Sequence, residues 1–511
     1  MPAAPSQSRP AHGGSRPDAR TGSRDRGAGI PLAGLALLAA AAVLIHGYHL
    51  GADDAAIYVP AIKRAADPAL YPYGGEFFLA HARLSVFPNL IGGSARLLHV
   101  PTDAAIFAWH AVSLLLLLIA AWRLLARCFV HSRAHWCGVA ALAAACGVPV
   151  AGTGLVIMDP YLTARSLSTP SALFAIGYYL SGNPAATASC LLLTTALHPQ
   201  MAVYAALLVA AIAALRRVAA WRSAAQPALT MAAALPFGIS FAPVSGPARE
   251  CLLSRSYFFV ATWTWYQWIG VFAPLALLAW WRVARPRGVR PAFLDLAGGL
   301  LPFGIVSIAA AAVLGLDSRW EAYTRLQPMR SFHLLYAIFF LLLGGLLGEH
   351  VLRAKPLRWV AVFAPAAVLM TYAACAAYPA SRHIEWPGGS ARNRWVSAFL
   401  WIRGHTPKSA VFALDPEYMA RTGEDAHGFR AVAERSVLAD SVKDSGAVSL
   451  FPQLAPEWAR EVAATRGLDR FRLSDYRRLA AQFPVTWILT STPPRGLECP
   501  YRNSAVSVCR L

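Results

Sequence analysis

Apolar and polar residues alternate along this chain on the scale of whole membrane crossings. Residues 30–45 are almost all apolar; the chain then turns polar and aromatic at His46-Gly47-Tyr48-His49 and reaches Gly51-Ala52-Asp53-Asp54. Further apolar segments cover 104–126, 135–155, a crowded region 169–215, then 228–244, 263–282, 293–314, 331–348 and 358–378. A helix needs about 20 such residues to cross the hydrocarbon core of a bilayer. In the crowded region, 169–182 is short for one span and 185–215 too long, with His198-Pro199 at its middle. It reads as three short spans, or as a re-entrant segment followed by one kinked helix. The pattern therefore predicts a mainly α, polytopic transmembrane helical bundle of about 11 spans, with nine as the alternative. Both crossing numbers are odd, so everything downstream keeps its orientation.

The two ends of the chain differ from the middle. Residues 1–29 are rich in Pro, Ser, Gly and Arg and cannot bury a core, so a disordered basic tail is expected there. A cleaved signal peptide is the competing reading, since Ala39-Ala40-Ala41-Ala42 supplies small residues. Residues 30–380 form the multi-span domain, and 381–511 are charged, with mixed helix and strand signals and no further span. Helices are expected at 395–403, 456–464 and 474–482, and strands at 410–414 and 485–489. Strands alternating with helices make this a small C-terminal α/β domain.

Composition and charge then fix class and orientation. With 57% hydrophobic and only 14% charged residues, the chain is too apolar for a water-soluble globule. The net charge of +20 does not point to nucleic acid, because no zinc-finger spacing or helix-turn-helix pattern accompanies it. Arg123, Arg127 and Arg133, then Arg216, Arg217 and Arg222, then Arg282, Arg285, Arg287 and Arg290, then Arg353, Lys355 and Arg358 share the side of the basic N-terminus. That is the positive-inside asymmetry. It leaves loops 49–103, 156–168, 245–262 and 315–330 outside, together with the C-terminal domain. Two of the eight cysteines, Cys499 and Cys509, lie ten residues apart in that domain. In an oxidising compartment they can close a terminal hairpin as a disulfide, although two free thiols are equally compatible with the spacing.

Polar residues of the outer loops are the candidates for chemistry. Carboxylates at a membrane surface are costly to desolvate, so Asp53 and Asp54 invite a functional explanation. The plainer one is a helix N-terminus at 53–58, which Pro60 would limit to a turn or two. Glu76-Phe77-Phe78 reads as an aromatic surface at the lipid interface. In the second loop, Arg165 has few acidic neighbours besides Asp159 and can grip a phosphate, while Thr169 before Pro170 reads as the start of the next helix. Tyr58, Tyr161, His198, Gln200, Gln327 and His333 are polar groups beside these residues or inside apolar stretches, where they either face a cavity or bond a neighbouring helix. In the last loop, Arg319, Arg325 and Arg330 either bind substrate or snorkel to headgroups. Glu424-Asp425-Ala426-His427 reads as a solvated face.

One early span, an outer loop opening on Ala52-Asp53-Asp54-Ala55-Ala56-Ile57-Tyr58, many spans and an outer soluble domain resemble a GT-C-fold glycosyltransferase. The stretch Trp401-Ile402-Arg403-Gly404-His405-Thr406-Pro407 is similar to the linker opening the soluble domain in such proteins. The resemblance implies transfer of a sugar, hexosyl or pentosyl, from a polyprenyl-phosphate carrier to an envelope glycan, lipid or protein acceptor. Asp53 or Asp54 would be the base, with the other orienting it or holding Mg2+ or Mn2+. Arg165 and Arg330, with Arg319 and Arg325 behind them, would face the lipid phosphate. A bacterial inner membrane, with the N-terminus cytoplasmic and the C-terminal domain periplasmic, is the implied location. The rival classes are a lipid or solute transporter or flippase, and a membrane scaffold presenting its outer domain. Few ionisable residues lie within the spans beyond His198, and no internal repeat supports a transporter.

Overall fold

The computed structural model describes residues 29–221 and 241–511. The basic tail and most of the span expected over 228–244 lie outside these described residues. Among them, six helical stretches are long and apolar enough to cross a membrane: Thr102–Cys128, Pro199–Arg217, Trp265–Ala284, Pro291–Leu314, Ser318–Leu352 and Pro356–Ala377. Leu32–His46 and Pro184–Leu197 are shorter apolar helices. The described residues thus hold six full-length spans, and the expected count of about 11 included the shorter helices and the segment 228–244.

Pro356–Ala377 carries the plainest membrane signal. Its mean hydropathy is 1.9, yet no residue of its most apolar window is buried. At 1.5 Å per residue its 22 residues extend about 33 Å, the thickness of a hydrocarbon core. Leu357, Val360, Val368, Leu369 and Tyr372 all stand exposed along it. Such a surface suits the hydrocarbon of a bilayer.

Several helix boundaries differ from expectation for local reasons. The expected span 135–155 is a helix only over Ser132–Ala144. Beyond it, Pro149–Val150 (β1) and Leu155–Val156 (β2) form an antiparallel hairpin. Gly152 turns that hairpin at a positive φ of 64°, where a Cβ would come 2.4 Å from the Trp263 ring. The crowded region is three helices, Ala164–Leu180, Pro184–Leu197 and Pro199–Trp221. Asn183 caps the second by accepting the Ala186 N–H at 3.0 Å. His198 is extended before Pro199, as the proline ring demands. The first of the three starts at Ala164, not at Thr169, because the Thr163 N–H finds the Ser166 hydroxyl at 3.1 Å and opens the helix there. Pro60 likewise fails to end its helix, which runs Ala55–Ala66. Ala55, Ala56, Tyr58, Val59, Ala61 and Ile62 are all buried around it, and packing outweighs one missing N–H.

The C-terminal domain holds a five-stranded mixed sheet: Val411–Ala413 (β3), Ser436–Val437 (β4), Trp487–Thr490 (β5), Tyr501–Arg502 (β6) and Ser507–Arg510 (β7), in the order β4-β3-β5-β7-β6. The first two pairings are parallel and the last two antiparallel. Helices Arg394–His405, Ala455–Thr465 and Leu473–Gln482 match the expected ones. Cys499 and Cys509 are joined by a disulfide.

This domain packs directly on the loops at one end of the bundle. Phe77 and Phe78, expected at the lipid interface, are instead buried. Phe77 belongs to a core shared with Ala248 and Cys251 of another loop and with Val448 and Phe451 of the domain. The other end carries its own pairs, Arg133–Glu349 at 3.0 Å and Arg216–Asp295 at 2.9 Å. At the domain end, Lys63 is 1% exposed and sits 2.7 Å from Asp103 and 2.8 Å from Glu434. Arg403 closes the group at 2.7 Å from Asp103 and 3.3 Å from Glu434. One lysine thus joins the first loop, the start of the longest helix and the C-terminal domain.

Two outcomes follow. Val368→Arg puts a charge at mid-membrane on the lipid face, at a cost of about 2.5–3.5 kcal/mol on insertion scales. It should lower membrane integration in a carbonate-extraction assay, while Val368→Leu should not. Lys63→Met should destabilise by roughly 3–5 kcal/mol, because it leaves buried carboxylates short of a partner. Thermal unfolding in detergent reads this loss, and an unchanged midpoint would contradict the tie.

Candidate functional site

Asp53 sits at φ 50°, in the left-handed region that aspartate tolerates better than most residues. Its N–H donates to the Ala426 carbonyl at 2.9 Å, and the Gly428 N–H donates to the Gly51 carbonyl at 2.8 Å. The C-terminal domain therefore holds the backbone of the acidic pair from one side. Asp54 occupies the N-cap of Ala55–Ala66 but makes no capping bond. Its carboxylate is engaged elsewhere, so the plain helix-start reading does not account for it.

The partners are cations from distant segments. Lys443 donates to Asp53 and, at 3.1 Å, to Asp54 Oδ1. Arg165 donates to Asp54 Oδ2 at 3.2 Å and to Asp159 Oδ2 at 2.8 Å. Tyr161 donates its hydroxyl to Asp53 Oδ2 at 3.1 Å, and the Thr163 hydroxyl donates to Asp159 at 3.2 Å. Burial alone would raise the Asp54 carboxyl, but Lys443, Arg165 and Arg330 bring it well below the usual carboxylate range. Burial instead prevails at Asp159 and raises it, with Arg165 opposing and Asp54 adding to the rise. Lys443 is raised above an ordinary lysine: its burial acts against the charge, and the two aspartates more than offset it.

Lys443 is aimed by its own loop. Asp440 Oδ1 accepts the N–H groups of Val442 at 2.8 Å and Lys443 at 2.5 Å. Trp458 and Arg430 hold the same turn, through the Asp440 carbonyl at 2.9 Å and through Asp444 at 2.8 Å. Burial and the neighbouring Asp444 push the Asp440 carboxyl up to about 7, with Arg430 opposing.

These groups face a cavity of about 460 Å³, lined by Asp53, Asp54, Tyr58, Arg165, His198, Gln200, Arg325, Gln327, Arg330 and Lys443. Burial holds Tyr58 up at about 12 and His81, another lining residue, down at about 4, so both are neutral near pH 7. The Arg330 guanidinium lies 4.7 Å over the Tyr257 ring, and among the described residues no carboxylate pairs with it. The apolar part of the lining includes Ile57, Leu84, Val203, Leu207 and Val306. Leu207 and Val306 are also 43% and 62% exposed, so this wall reaches the flank of the bundle.

The remaining expected residues fall in different places. Gln200 and Tyr204 donate to the carbonyls of Leu326 and Gln327, at 3.1 and 2.8 Å, and so brace the turn before Arg330. Arg325 is buried and donates to the Ser449 carbonyl at 2.9 Å, tying the last loop to the C-terminal domain. Arg319 does not reach the cavity: it is exposed and pairs with Asp317 two residues away, an interaction that keeps it on its own turn. His333 bonds the Ile157 carbonyl at 2.9 Å and is not part of the lining. Glu424 and His427, expected on a solvated face, are fully buried. They are drawn in because His427 meets Glu385 at 3.0 Å and Asp425 accepts the Ser381 hydroxyl at 2.7 Å.

Sequence reasoning missed Lys443 and Arg255, which donates to the Val442 carbonyl at 2.8 Å. Lys63 and Lys443 are two of only four lysines among the chain's 46 basic residues, and each bridges two carboxylates. Nothing local in the sequence marks which charge the turn at 440–443 will meet.

No family model and no curated protein matches the chain. Among solved structures it is similar to the crystal structure of the Archaeoglobus fulgidus oligosaccharyltransferase in the apo form. The identity is 13% and the TM-score 0.43, over 90% of this chain and 69% of that one. The same enzyme tethered with an acceptor peptide containing the NVT sequon gives 14% identity and a TM-score of 0.38 over the same shares. That enzyme is a GT-C-fold membrane glycosyltransferase, the class the sequence resembles. With scores below 0.5 the likeness carries no argument about the reaction, which has to come from the residues of the cavity.

Proposed function

We propose that this chain is a membrane glycosyltransferase that moves a sugar from a polyprenyl-phosphate carrier to an extracytoplasmic acceptor. The observation that carries the reading is the meeting of Asp53 and Asp54 with Arg165, Lys443 and the carboxylate-free Arg330 in one cavity with an apolar flank.

The two acids differ in what they can do. Asp54 has both oxygens taken by cations, whereas Asp53 meets one cation, Lys443, and the Tyr161 hydroxyl, so Asp54 is the weaker proton acceptor of the two. The Asp53 side chain is 47% exposed against 26% for Asp54, so an acceptor hydroxyl reaches Asp53 more readily. In the proposed reaction the hydroxyl oxygen bonds to the anomeric carbon and its proton passes to Asp53. The bond from that carbon to the phosphate oxygen breaks, and the electron pair leaves on the phosphate. Arg330 stabilises the growing charge there. The wall of Val203, Leu207 and Val306 would receive the first prenyl units. A Mg2+ or Mn2+ ion would reach Asp53 and Asp54 only by displacing Lys443, which already takes an oxygen of each. Lys443 supplies positive charge at that point in its place. The domain end of the bundle would face the outside, with the acceptor entering past the C-terminal domain.

The test is turnover of a radiolabelled polyprenyl-phosphate sugar by the purified chain with a membrane extract as acceptor. Asp53→Asn should lose about 10²–10⁴ in turnover. Arg330→Ala should lose about 10²–10³. Both should remain monodisperse in detergent. Full turnover by Asp53→Asn would rule out its role as base, and donor consumption by neither wild type nor variant across the common carrier sugars would end the reading.

A further inference from the structure

His49 comes from the approach to the acid pair, while Glu385 and His427 lie 42 residues apart in the C-terminal domain. One ligand atom from each lies within 4.8 Å of the others. Both imidazoles are fully buried, and the Glu385 side chain is 16% exposed. His427 Nδ1 donates to the Glu424 carbonyl at 3.1 Å, which leaves Nε2 as the lone-pair side of a neutral ring. That nitrogen faces Glu385 Oε1 and Oε2 at 3.0 and 3.1 Å. A lone pair against a carboxylate is repulsive unless a second proton or a cation lies between them.

His49 poses the same problem from the other side. Neither of its nitrogens has a hydrogen-bond partner, and its nearest carboxylate oxygen, Glu385 Oε2, is 3.8 Å from Nδ1. Its ring is stacked on Tyr378 at 3.9 Å, which fixes the direction of the nitrogens. An imidazole removed from water with both nitrogens idle is a costly arrangement. A metal ion would give one of them a bond and would also screen His427 from the glutamate.

We propose that His49, Glu385 and His427 bind a borderline divalent metal ion of the Zn2+ class, clipping the C-terminal domain to the loop that carries Asp53 and Asp54. Two imidazole nitrogens and one carboxylate oxygen are a donor set that zinc favours, whereas Mg2+ and Ca2+ prefer oxygen alone. Ligands about 2.0–2.1 Å from a tetrahedral ion lie about 3.3 Å apart. His427 and Glu385 stand at 3.0 Å, and His49 at 3.8 Å from Glu385 has a short distance to close on the ion. The Glu424 carbonyl on His427 is the outer partner that metal-bound imidazoles usually carry. With three protein ligands, the fourth position goes to water on the side where Glu385 meets solvent. The role is structural: the Leu50 N–H donates to Glu385 Oε2 at 3.3 Å, Tyr48 bridges Ile384, and Ala52 bridges His427. Loading this site would set the strand of chain leading into Asp53.

The experiment uses the untagged full chain in detergent, stripped with a chelator and titrated with Zn2+ or Mg2+. Elemental analysis and the unfolding temperature are read, with Co2+ as a spectroscopic stand-in. The expected result is uptake of a single Zn2+ per chain, a raised unfolding temperature, no response to Mg2+, and a visible Co2+ spectrum typical of tetrahedral nitrogen and oxygen ligands. His49→Ala and Glu385→Gln should each weaken uptake by more than the roughly 10–100-fold that loss of an outer partner costs. Wild type that takes up no Zn2+ would overturn the proposal and leave His427 and Glu385 as an imidazolium–carboxylate pair. Undiminished uptake in both variants would overturn it as well. Should a variant fail to fold, the wild-type titration decides alone. None of these readouts requires sugar transfer, so the site stands or falls apart from the proposed activity.

Discussion

A buried carboxylate beside this cavity stays ionised only if cations are carried to it. Isolated, Asp54 would be driven toward its neutral form by lost hydration. Here Lys443 bridges Asp53 and Asp54, and Arg165 bridges Asp54 to Asp159. Arg165 lies 111 residues and Lys443 389 residues from Asp54, so the site exists only in the assembled fold. The acid pair does not simply sit on the bundle; it depends on the docking of the C-terminal domain.

That dependence explains how much of the interface is polar. Lys63 and Arg403 with Asp103 and Glu434, Arg325 with the Ser449 carbonyl, and the backbone bridge at Ala52 all cross between loops and domain. An apolar seam alone would fix position less sharply, because it tolerates sliding. Buried charges with one satisfying geometry do not tolerate it, which is the use of such networks in setting register. The domain is a lid fixed in place whose turn at 440–443 delivers an ammonium to one point.

The legible part of this design was the part written in period and run length. The apolar runs gave most of the helices, and the alternation of the tail gave three helices and two strands of its sheet. The acid pair, Arg165 and Arg330 stood out because a charge beside an apolar run has few neighbours to explain it. Pro60 and Thr169-Pro170 misled, since local breaking rules compete with packing and with a cap at Thr163 that lies further upstream. The span at 135–155 was overdrawn because hydropathy does not register that Gly152 and Gly154 permit a hairpin. Glu424-Asp425-Ala426-His427 was misread for a deeper reason. Three polar residues in a run of four look solvated until their partners are known, and Glu385 and Ser381 lie 42 and 44 residues away from theirs. Lys443 was hidden likewise, because no local pattern says which charge a loop will meet.

The distribution of charge along the cavity carries one further step of reasoning. At the domain end, three carboxylates meet Lys443 and Arg165, and every charge there has an opposite within hydrogen-bond distance. Arg330 stands over the Tyr257 ring, and among the described residues it pairs with no carboxylate, while its charge still reaches Asp54. Lys443 and Arg165 are already engaged by the acids, so an anion in the cavity finds its least engaged cation at Arg330. A neutral hydroxyl is under no such bias. In the proposed reaction the two kinds of group would therefore be sorted by charge before either is held by shape. The turn braced at Leu326 and Gln327 sets where Arg330 stands for this sorting.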